Sequence, residues 1–287
     1  MAATIVGGEE ELRKKPILSG AGYATPPLQY DERGITMFTE FIRAGIPTYV
    51  GSEPISGGLD PVTLAGTLVQ NNAEALAGIV ITQSIEPGTP VIYGGHCNSI
   101  DMKTGVAAMA SPENALMGPV IPQLARYYGL PSWMYSGISN SKVPDAQSAY
   151  EKTATALMPL LTGANLHYGN GNAGAAIVTS YEQLVIDDEI LEMLARIVRS
   201  FEVTDETLAV DVICKVGPGG NYLAEPHTLK HFATEHLSPT LSDRLSLDAW
   251  TKAGSKDIAE KARERAEHLL KTHHPEPLDR DVEKQID

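Results

Sequence analysis

Short apolar runs alternate with longer amphipathic segments through the first 200 residues of the chain. A polar or glycine-rich loop follows each run, and a segment with helical periodicity follows each loop. The five runs are Pro16–Gly22, Thr48–Gly51, Val91–Gly94, Leu130–Tyr135 and Leu166–Gly169. Strands that alternate with amphipathic helices are typical of a parallel sheet with right-handed crossovers. The pattern therefore predicts an α/β fold.

The residues at the ends of the five amphipathic segments support their prediction as helices. The predicted helices are Asp31–Ala44, Pro61–Ile85, Pro112–Tyr128, Pro144–Leu161 and Tyr181–Arg199. We expect Pro61, Pro112 and Pro144 to begin their helices, where a missing N–H group costs nothing. Ser111 is the expected N-cap of the third helix. Four glycines stand where C-cap residues are expected, namely Gly45, Gly88, Gly129 and Gly163.

The number of strand–helix units leaves two architectures open. A closed (β/α)8 barrel has eight units, and only five are visible here, so the pattern allows an open doubly wound sheet or part of a barrel. After Ser200 the alternation stops, and three helical segments are predicted, Thr207–Val216, His227–His236 and Lys256–His273. We expect residues 1–200 to form the βα-repeat portion and residues 201–287 a helical extension packed on it, with a tail, His274–Asp287, that frays or wraps the surface.

Composition narrows the class of protein. Apolar residues make up 43% of the 287 residues and charged residues 20%, which is ordinary for a globular protein. No apolar stretch is long enough for a membrane span, and the first residues do not resemble a secretory signal. Two cysteines fit a reducing cytoplasm. A net charge of −14 argues against binding to nucleic acid.

Four sequence segments carry a resemblance to a known family. They are Gly58–Gln70 (GLDPVTLAGTLVQ), Gly88–Gly95 (GTPVIYGG), Lys142–Gln147 (KVPDAQ) and Tyr181–Ile190 (YEQLVIDDEI). In this order the chain resembles the C-terminal three-fifths of the corrinoid-dependent trimethylamine methyltransferase family. Members of that family are TIM barrels, so the resemblance favours a barrel over an open sheet. It also implies that the first strands of the barrel are missing here.

The resemblance implies an activity. Family members move a methyl group from an amine to the Co(I) corrinoid of a separate protein, so it implies a corrinoid partner, no tightly bound cofactor and no metal site. Amine-specific archaeal members carry pyrrolysine, whose position we place at Ile138. The chain therefore resembles the branch without pyrrolysine, which acts on betaines such as glycine betaine. The alternative is a catalytically silent barrel portion that acts only by association. We also expect a homo-oligomer.

Polar and aromatic residues at the ends of the strands are the candidates for the site. An aromatic cage binds a quaternary ammonium group, which has no N–H to donate, and such a cage could be formed by Tyr93, Trp133, Tyr135 and Tyr168. These four could equally pack or anchor loops. The remaining strand-end candidates include Glu53, Asn170 and Asn172.

The other candidates come from the loops and from the resemblance. Lys142, with His96 or His167 as a donor, could bind a substrate carboxylate, and Asn140 and Ile138 stand in the same loop as Lys142. Asp101 could hold a loop or face the substrate. The resemblance places Glu182 at a family-like acidic position, although Glu182 could equally be an ordinary residue at a helix start. We expect Glu182 and His167 to be the catalytic residues.

Overall fold

A five-stranded parallel sheet forms the centre of the computed structural model, which describes residues 1–286. The strands are β1 (Gly20–Ala24), β2 (Thr48–Ser52), β3 (Ile55–Ser56), β4 (Val91–Gly95), β5 (Asn98–Asp101), β6 (Val106–Ala108), β7 (Ser132–Tyr135), β8 (Leu166–Tyr168), β9 (Asn172–Ala173) and β10 (Val178–Thr179). The central sheet has the order β1-β2-β4-β7-β8, and all four pairings are parallel. The five predicted strands and the α/β class are confirmed. The first strand begins four residues later than expected.

Helices connect the strands of the central sheet and continue after it. They are α1 (Ala2–Val6), α2 (Glu9–Lys14), α3 (Glu32–Arg43), α4 (Leu64–Ile85), α5 (Pro112–Met117), α6 (Val120–Tyr127), α7 (Ala146–Leu161), α8 (Tyr181–Arg199), α9 (Asp205–Leu208), α10 (Val210–Val216), α11 (Pro226–Glu235), α12 (Leu247–Lys252), α13 (Ile258–Thr272) and α14 (Arg280–Ile286). The Ser111 side chain accepts a hydrogen bond from the Asn114 N–H, which confirms it as an N-cap. All four expected C-cap glycines have positive φ.

Three expectations about helix ends were wrong. The segment Pro112–Tyr128 is two helices, because Pro119 has no N–H to continue the ladder of hydrogen bonds. Pro61 and Pro144 do not begin helices. Instead α4 starts after Thr63, and α7 starts after Asp145, whose carboxylate caps it by accepting from the Ser148 N–H. The Asp145 cap satisfies an N–H at the start of α7 that would otherwise be free.

The two faces of the central sheet are lined differently. Phe38 of α3 contacts Val50, Asn71 of α4 accepts a hydrogen bond from Ser52, and Met134 packs against Ile121 of α6. These contacts place α3, α4 and α6 on one face. Alternate residues on the strands point to the opposite face, and there they are mainly aromatic. A sheet with its helices on one face and a separate lining on the other is compatible with a barrel-like fold.

The strand order also distinguishes this sheet from a doubly wound one. A doubly wound sheet reverses direction at a switch point, where the strand order changes sign. Within residues 1–286 the central strands follow one another in chain order with no reversal. The strands β3, β5 and β6 form a separate small sheet, built from the loops that leave the carboxyl ends of β2 and β4.

The chain after Ser200 attaches to α8 through α13, through Arg196, which donates to the Glu235 carbonyl of α11, and through one carboxylate. Glu189 accepts hydrogen bonds from the N–H groups of Thr240, Leu241 and Ser242. Burial alone would raise the pKa of Glu189, but these bonds lower it to about 2. The predicted helix Thr207–Val216 is divided at Ala209, whose φ of 51° lies in the left-handed region.

The remaining terminal predictions have mixed outcomes. The segments predicted at 227–236 and 256–273 are confirmed as α11 and α13. The tail contains α14, which was not expected, while Asp287 lies outside the described residues. No helix within residues 1–286 is long and apolar enough to cross a membrane.

Candidate functional site

Five aromatic side chains meet on the face of the sheet opposite the helices. We call them the aromatic cluster; its members are Tyr23, Tyr49, Trp133, Tyr135 and Tyr168. The Trp133 ring lies at the centre, with centroid distances of 5.1 Å to Tyr23, 5.9 Å to Tyr49 and 5.6 Å to Tyr168. Tyr135 lies 4.9 Å from Tyr168. The members come from β1, β2, β7 and β8, so only the parallel register brings them together.

Glycines on neighbouring strands allow Trp133 to lie flat across the sheet. A Cβ atom at Gly94 would lie 2.6 Å from the indole ring, and one at Gly51 would lie 3.1 Å from it. The indole N–H donates to the Val50 carbonyl at 3.1 Å, and Trp133 is fully buried. The tryptophan is therefore fixed by packing and by a hydrogen bond across three strands.

A partly buried carboxylate stands beside the aromatic cluster. Burial raises the pKa of Glu53, and neither a hydrogen bond nor a cation within residues 1–286 offsets that rise. Burial also raises the pKa of the Tyr23, Tyr135 and Tyr168 hydroxyls, and the charge of Glu53 raises it further. A carboxylate with no cationic partner in an aromatic surrounding is poised to accept a cation.

Two loops form the wall of the cluster next to Tyr135. Ile138, in the loop after β7, is fully buried and packs with Trp133 and Tyr135. In the loop after β8, the Asn172 amide donates to the Tyr135 hydroxyl at 2.7 Å. The hydroxyls of Tyr23 and Tyr168 lie 2.7 Å apart and form a hydrogen bond in which either can be the donor. The cluster thus has an apolar floor and several fixed hydroxyls.

Two of the predicted site residues lie on the helix face of the sheet instead. Tyr93 is fully buried against Tyr128, and its hydroxyl donates to the Asn72 side chain at 2.9 Å. His167 pairs in register with Met134 on the same face, where its Nδ1 lies 2.7 Å from the Ser136 hydroxyl. The structure does not bring either residue to the aromatic cluster. Side chains alternate between the two faces of a strand, and each of these residues is one position away from a residue that faces the cluster.

His96 does reach the cluster, but as a neutral group. Its ring lies 4.9 Å from the Tyr135 ring in an edge-to-face arrangement. Burial lowers the pKa of His96 to about 3, and its Nε2 has no hydrogen-bond partner within residues 1–286. A neutral imidazole at this place can donate or accept one hydrogen bond, yet it brings no positive charge.

Three other predicted residues line a separate cavity of about 930 Å³ between the β5–β6 hairpin, α5 and α7: Asp101, Asn140 and Lys142. Asp101 holds the hairpin turn by accepting from the Lys103 N–H. Asn140 accepts from the Ala110 N–H and donates to the Ala107 carbonyl. Lys142 is exposed and donates to the Asn140 carbonyl. Their contacts hold loops in place.

Glu182 lies away from both the aromatic cluster and the cavity beside the β5–β6 hairpin. Its carboxylate accepts from the Ser180 hydroxyl at 2.7 Å and pairs with Arg263 at 3.1 Å. The Ser180 hydrogen bond, followed by the contact with Arg263, lowers the pKa of Glu182. These contacts join the start of α8 to α13. No group of three or more residues suited to hold a metal ion occurs within residues 1–286.

Tyr23 and Tyr49 were missed by the sequence analysis, and Glu53 was noted without a role. Tyr49 lies inside its strand rather than at the strand end, and Tyr23 was not assigned to a strand because the first predicted strand ended at Gly22. A usable signal was present, since Tyr23 and Tyr49 each alternate with residues that pack against helices. The alternation within β1 and β2 therefore marks both tyrosines as facing the opposite side.

A pair of carboxylates lies under the loops after β1 and β2. Asp60 and Glu74 both accept hydrogen bonds from the Gln70 amide, and Glu74 is buried and also accepts from the Leu28 N–H at 2.7 Å. Burial, followed by the charge of Glu74, raises the pKa of Asp60 to about 6. Because the folded state binds this proton more tightly than the unfolded state, its stabilisation is complete below pH 4 and is lost as pH rises through 6.

Asp60→Asn should therefore stabilise the protein only at the higher pH. We expect the free energy of unfolding to rise by about 1 kcal/mol at pH 8, since Asp60 is partly exposed and solvent screens the repulsion. At pH 4 we expect no gain. Urea unfolding at both pH values measures the difference, with exposed Asp188→Asn on α8 as the control. An equal gain at both pH values would contradict the assignment.

Comparison with known proteins shows which family this chain resembles. Residues 1–287 match the family described as trimethylamine methyltransferase (MTTB). The chain is 44% identical to the trimethylamine methyltransferase MttB of Methanosarcina barkeri (strain Fusaro), over 98% of this chain and 56% of that protein. It is 42% identical to MttB of Desulfitobacterium hafniense (strain DCB-2), over 97% of this chain and 56% of that protein.

A relative named for a different substrate matches to a similar extent. The glycine betaine methyltransferase of Desulfitobacterium hafniense (strain Y51) is 39% identical over the whole of this chain and 60% of that protein. The chain thus spans little more than half the length of the relatives it matches. From the match over its full length and these identities, the chain belongs to the trimethylamine methyltransferase family.

Proposed function

We propose that the aromatic cluster binds a small methylated ammonium compound and that the protein transfers one of its methyl groups to a corrinoid carried by a partner protein. The observation that supports this most directly is Glu53, a partly buried carboxylate without a cationic partner beside aromatic rings. The names of the relatives, which include trimethylamine and glycine betaine methyltransferases, agree with that chemistry.

The physical argument concerns the charge of the substrate. A quaternary ammonium group has no N–H to donate, so hydrogen bonds cannot hold its nitrogen. Ring faces such as those of Tyr168 and Trp133 attract it through their quadrupoles, and each contact contributes about 0.5–2 kcal/mol. The Glu53 carboxylate adds a full opposite charge in partly desolvated surroundings, where electrostatic attraction is stronger than in water.

The chemical demands on the protein are small. Loss of a methyl group from a quaternary amine leaves a neutral tertiary amine, so no general acid is required. The corrinoid, when presented by its partner, supplies the nucleophile that accepts the methyl group. This chain has to orient the N–CH₃ bond toward the corrinoid, which is a proximity effect. It also has to exclude water. In this proposal His96 remains neutral, and His167 and Glu182 have structural roles.

Ile138 bears on the choice of substrate. It presents an apolar surface to Trp133 and Tyr135, which suits a methyl-rich group with no proton. We therefore propose a quaternary amine, such as a betaine, in preference to trimethylamine. A substrate carboxylate would have to point away from Glu53, because two negative charges repel.

Further proposals concern the fold, the cellular location and the oligomeric state of the protein. We propose that the sheet forms part of a (β/α)8 barrel, with residues 201–287 as a helical extension on it. We also propose a cytoplasmic homo-oligomer. The free state of both cysteines supports the cytoplasmic location. The oligomer is supported by α9, α10 and α11, which contain no buried residue and so leave apolar side chains for a neighbouring subunit to cover. Light scattering tests the oligomer, and a monomeric mass would reject it.

A direct assay tests the proposed reaction. We expect purified protein, given cob(I)alamin and a quaternary amine such as glycine betaine, to cause a loss of the cob(I)alamin absorbance that is absent without protein. Trimethylamine, tested under the same conditions, should react more slowly because the N–H of its protonated form would lie against the apolar surface of Ile138. A folded sample that is inactive with every compound of a betaine panel would reject the proposal and favour a silent barrel portion.

A further inference from the structure

One fully buried ion pair lies directly beneath the two loops that form the Tyr135 wall. Lys152 of α7 and Asp187 of α8 are joined by a contact of 2.8 Å, and their side chains are 1% and 3% exposed. Burial lowers the pKa of Lys152 and raises the pKa of Asp187. A buried ion pair gives little net stability, because removal from water offsets the attraction. Its contacts with the backbone therefore point to another role.

Each member of the pair holds one loop. The Lys152 ammonium also donates to the Gly137 carbonyl at 2.9 Å, and the Asp187 carboxylate accepts from the Gly171 N–H at 2.6 Å. Both glycines have left-handed backbones, with φ of 68° and 78°, so each marks a sharp change of chain direction. Gly137 immediately precedes Ile138.

The two loops also bind one another above the pair. The Gly174 N–H donates to the Ser141 carbonyl at 2.6 Å, and the Ala175 N–H donates to the Ser139 carbonyl at 2.9 Å. Asn172 follows Gly171 and orients the Tyr135 hydroxyl. The loops therefore form one unit, and the ion pair ties that unit to α7 and α8.

The other Asp187 oxygen is held as well. It accepts from the Gln183 amide at 2.7 Å, and the Gln183 carbonyl oxygen accepts from the Ser148 hydroxyl at 2.9 Å. Every polar contact of the pair thus ends on a fixed helix or on one of the two glycine turns. A fully connected buried network of this kind has one well-defined geometry.

We propose that Lys152 and Asp187 are positioning residues for the aromatic cluster, since they hold the turns at Gly137 and Gly171 that bring Ile138 and Asn172 against Tyr135. The substrate side of this role rests on the proposed function of the cluster. A displacement of either turn would move the Tyr135 wall without touching the strands that carry the other rings.

The test removes both charges together. The double variant Lys152→Met/Asp187→Leu should fold with a similar urea midpoint, because hydrophobic replacement of a buried pair is often tolerated. We expect amide hydrogen exchange at Gly171, Gly174 and Ala175 to become about 10–100-fold faster, with exchange in β2 and β4 unchanged. We expect the Kd for tetramethylammonium to rise about tenfold and kcat to fall about 10–100-fold. The surface pair Lys256→Met/Glu264→Leu is the control.

The possible results separate positioning from a general structural role. Local acceleration in the two loops supports the proposal, whereas unchanged exchange, or equal acceleration in the loops and in β2 and β4, overturns it. If the double variant does not fold, Lys152→Gln/Asp187→Asn replaces it, because it leaves no unpaired buried charge. Its neutral amide is a weaker acceptor than the carboxylate, so exchange at Gly171 should still become faster. Hydrogen exchange requires no substrate, so a parent protein that fails to bind tetramethylammonium rejects the proposed function while exchange still decides the positioning.

Discussion

Replacing Trp133 with alanine should lower the free energy of unfolding by about 3–5 kcal/mol, the range for loss of a large aromatic side chain from a packed interior. Trp133 is fully buried, and its removal leaves the Val50 carbonyl without the indole N–H. Because native domains are stable by only about 5–15 kcal/mol, the variant should be partly unfolded near 37 °C. Urea unfolding followed by far-ultraviolet circular dichroism measures the loss.

The second tryptophan provides a matched control. Trp250 belongs to the short helix α12, is only partly buried, and donates its indole N–H to the Lys256 carbonyl. Trp250→Ala should cost about 1–2 kcal/mol, since less apolar surface returns to water. Equal losses at the two positions would mean that Trp133 is not the centre of a packed face.

Replacing Glu53 with glutamine should weaken binding of tetramethylammonium by about 10–100-fold, because the variant keeps the shape of the side chain and loses its charge. Binding of a neutral tert-butyl compound of the same shape should change little. Calorimetric titration of both compounds gives, for each, the ratio of the Kd of the variant to the Kd of the parent. Exposed Glu192→Gln on α8 removes the same charge elsewhere and should leave both affinities unchanged.

The charge of Glu53 should lower the stability of the free protein and strengthen the binding of a cation. Burial raises the pKa of Glu53 in the folded state, so its stabilisation is present at low pH and is lost as pH rises. Without ligand at pH 8, Glu53→Gln should therefore be at least as stable as the parent. A variant that binds weakly because it has lost stability would show that Glu53 supports the structure and does not attract a cation.

The fold was predictable where periodicity is strong. All five strands of the central sheet were located because apolar runs alternate with amphipathic helices, and α8 was predicted with its observed bounds. The short strands of the two smaller sheets were not predicted. The break at Pro119 was missed because the apolar positions of α5 and α6 continue across it without a change of period. The left-handed break at Ala209 carries no sequence signal, since alanine rarely adopts that conformation.

The candidate site was harder to predict because it depends on which face each strand residue occupies. Trp133, Tyr135 and Tyr168 were identified from their positions at strand ends and Ile138 from the family resemblance, and the four do lie together. Tyr93 and His167 stand at similar strand ends but point toward the helices, and one residue of phase decides between the two faces. The Lys152–Asp187 pair was missed altogether, because 35 residues separate its members and helical polar residues usually face water.

The position of Trp133 has an optical consequence. The chain contains two tryptophans, and one of them stands among the tyrosines that we propose as the cation site. With Trp250 replaced by phenylalanine, all remaining indole emission would come from the aromatic cluster. An ammonium ion placed over those rings should quench or shift that emission, so the protein would carry its own fluorescent titration signal for substrate without any added dye.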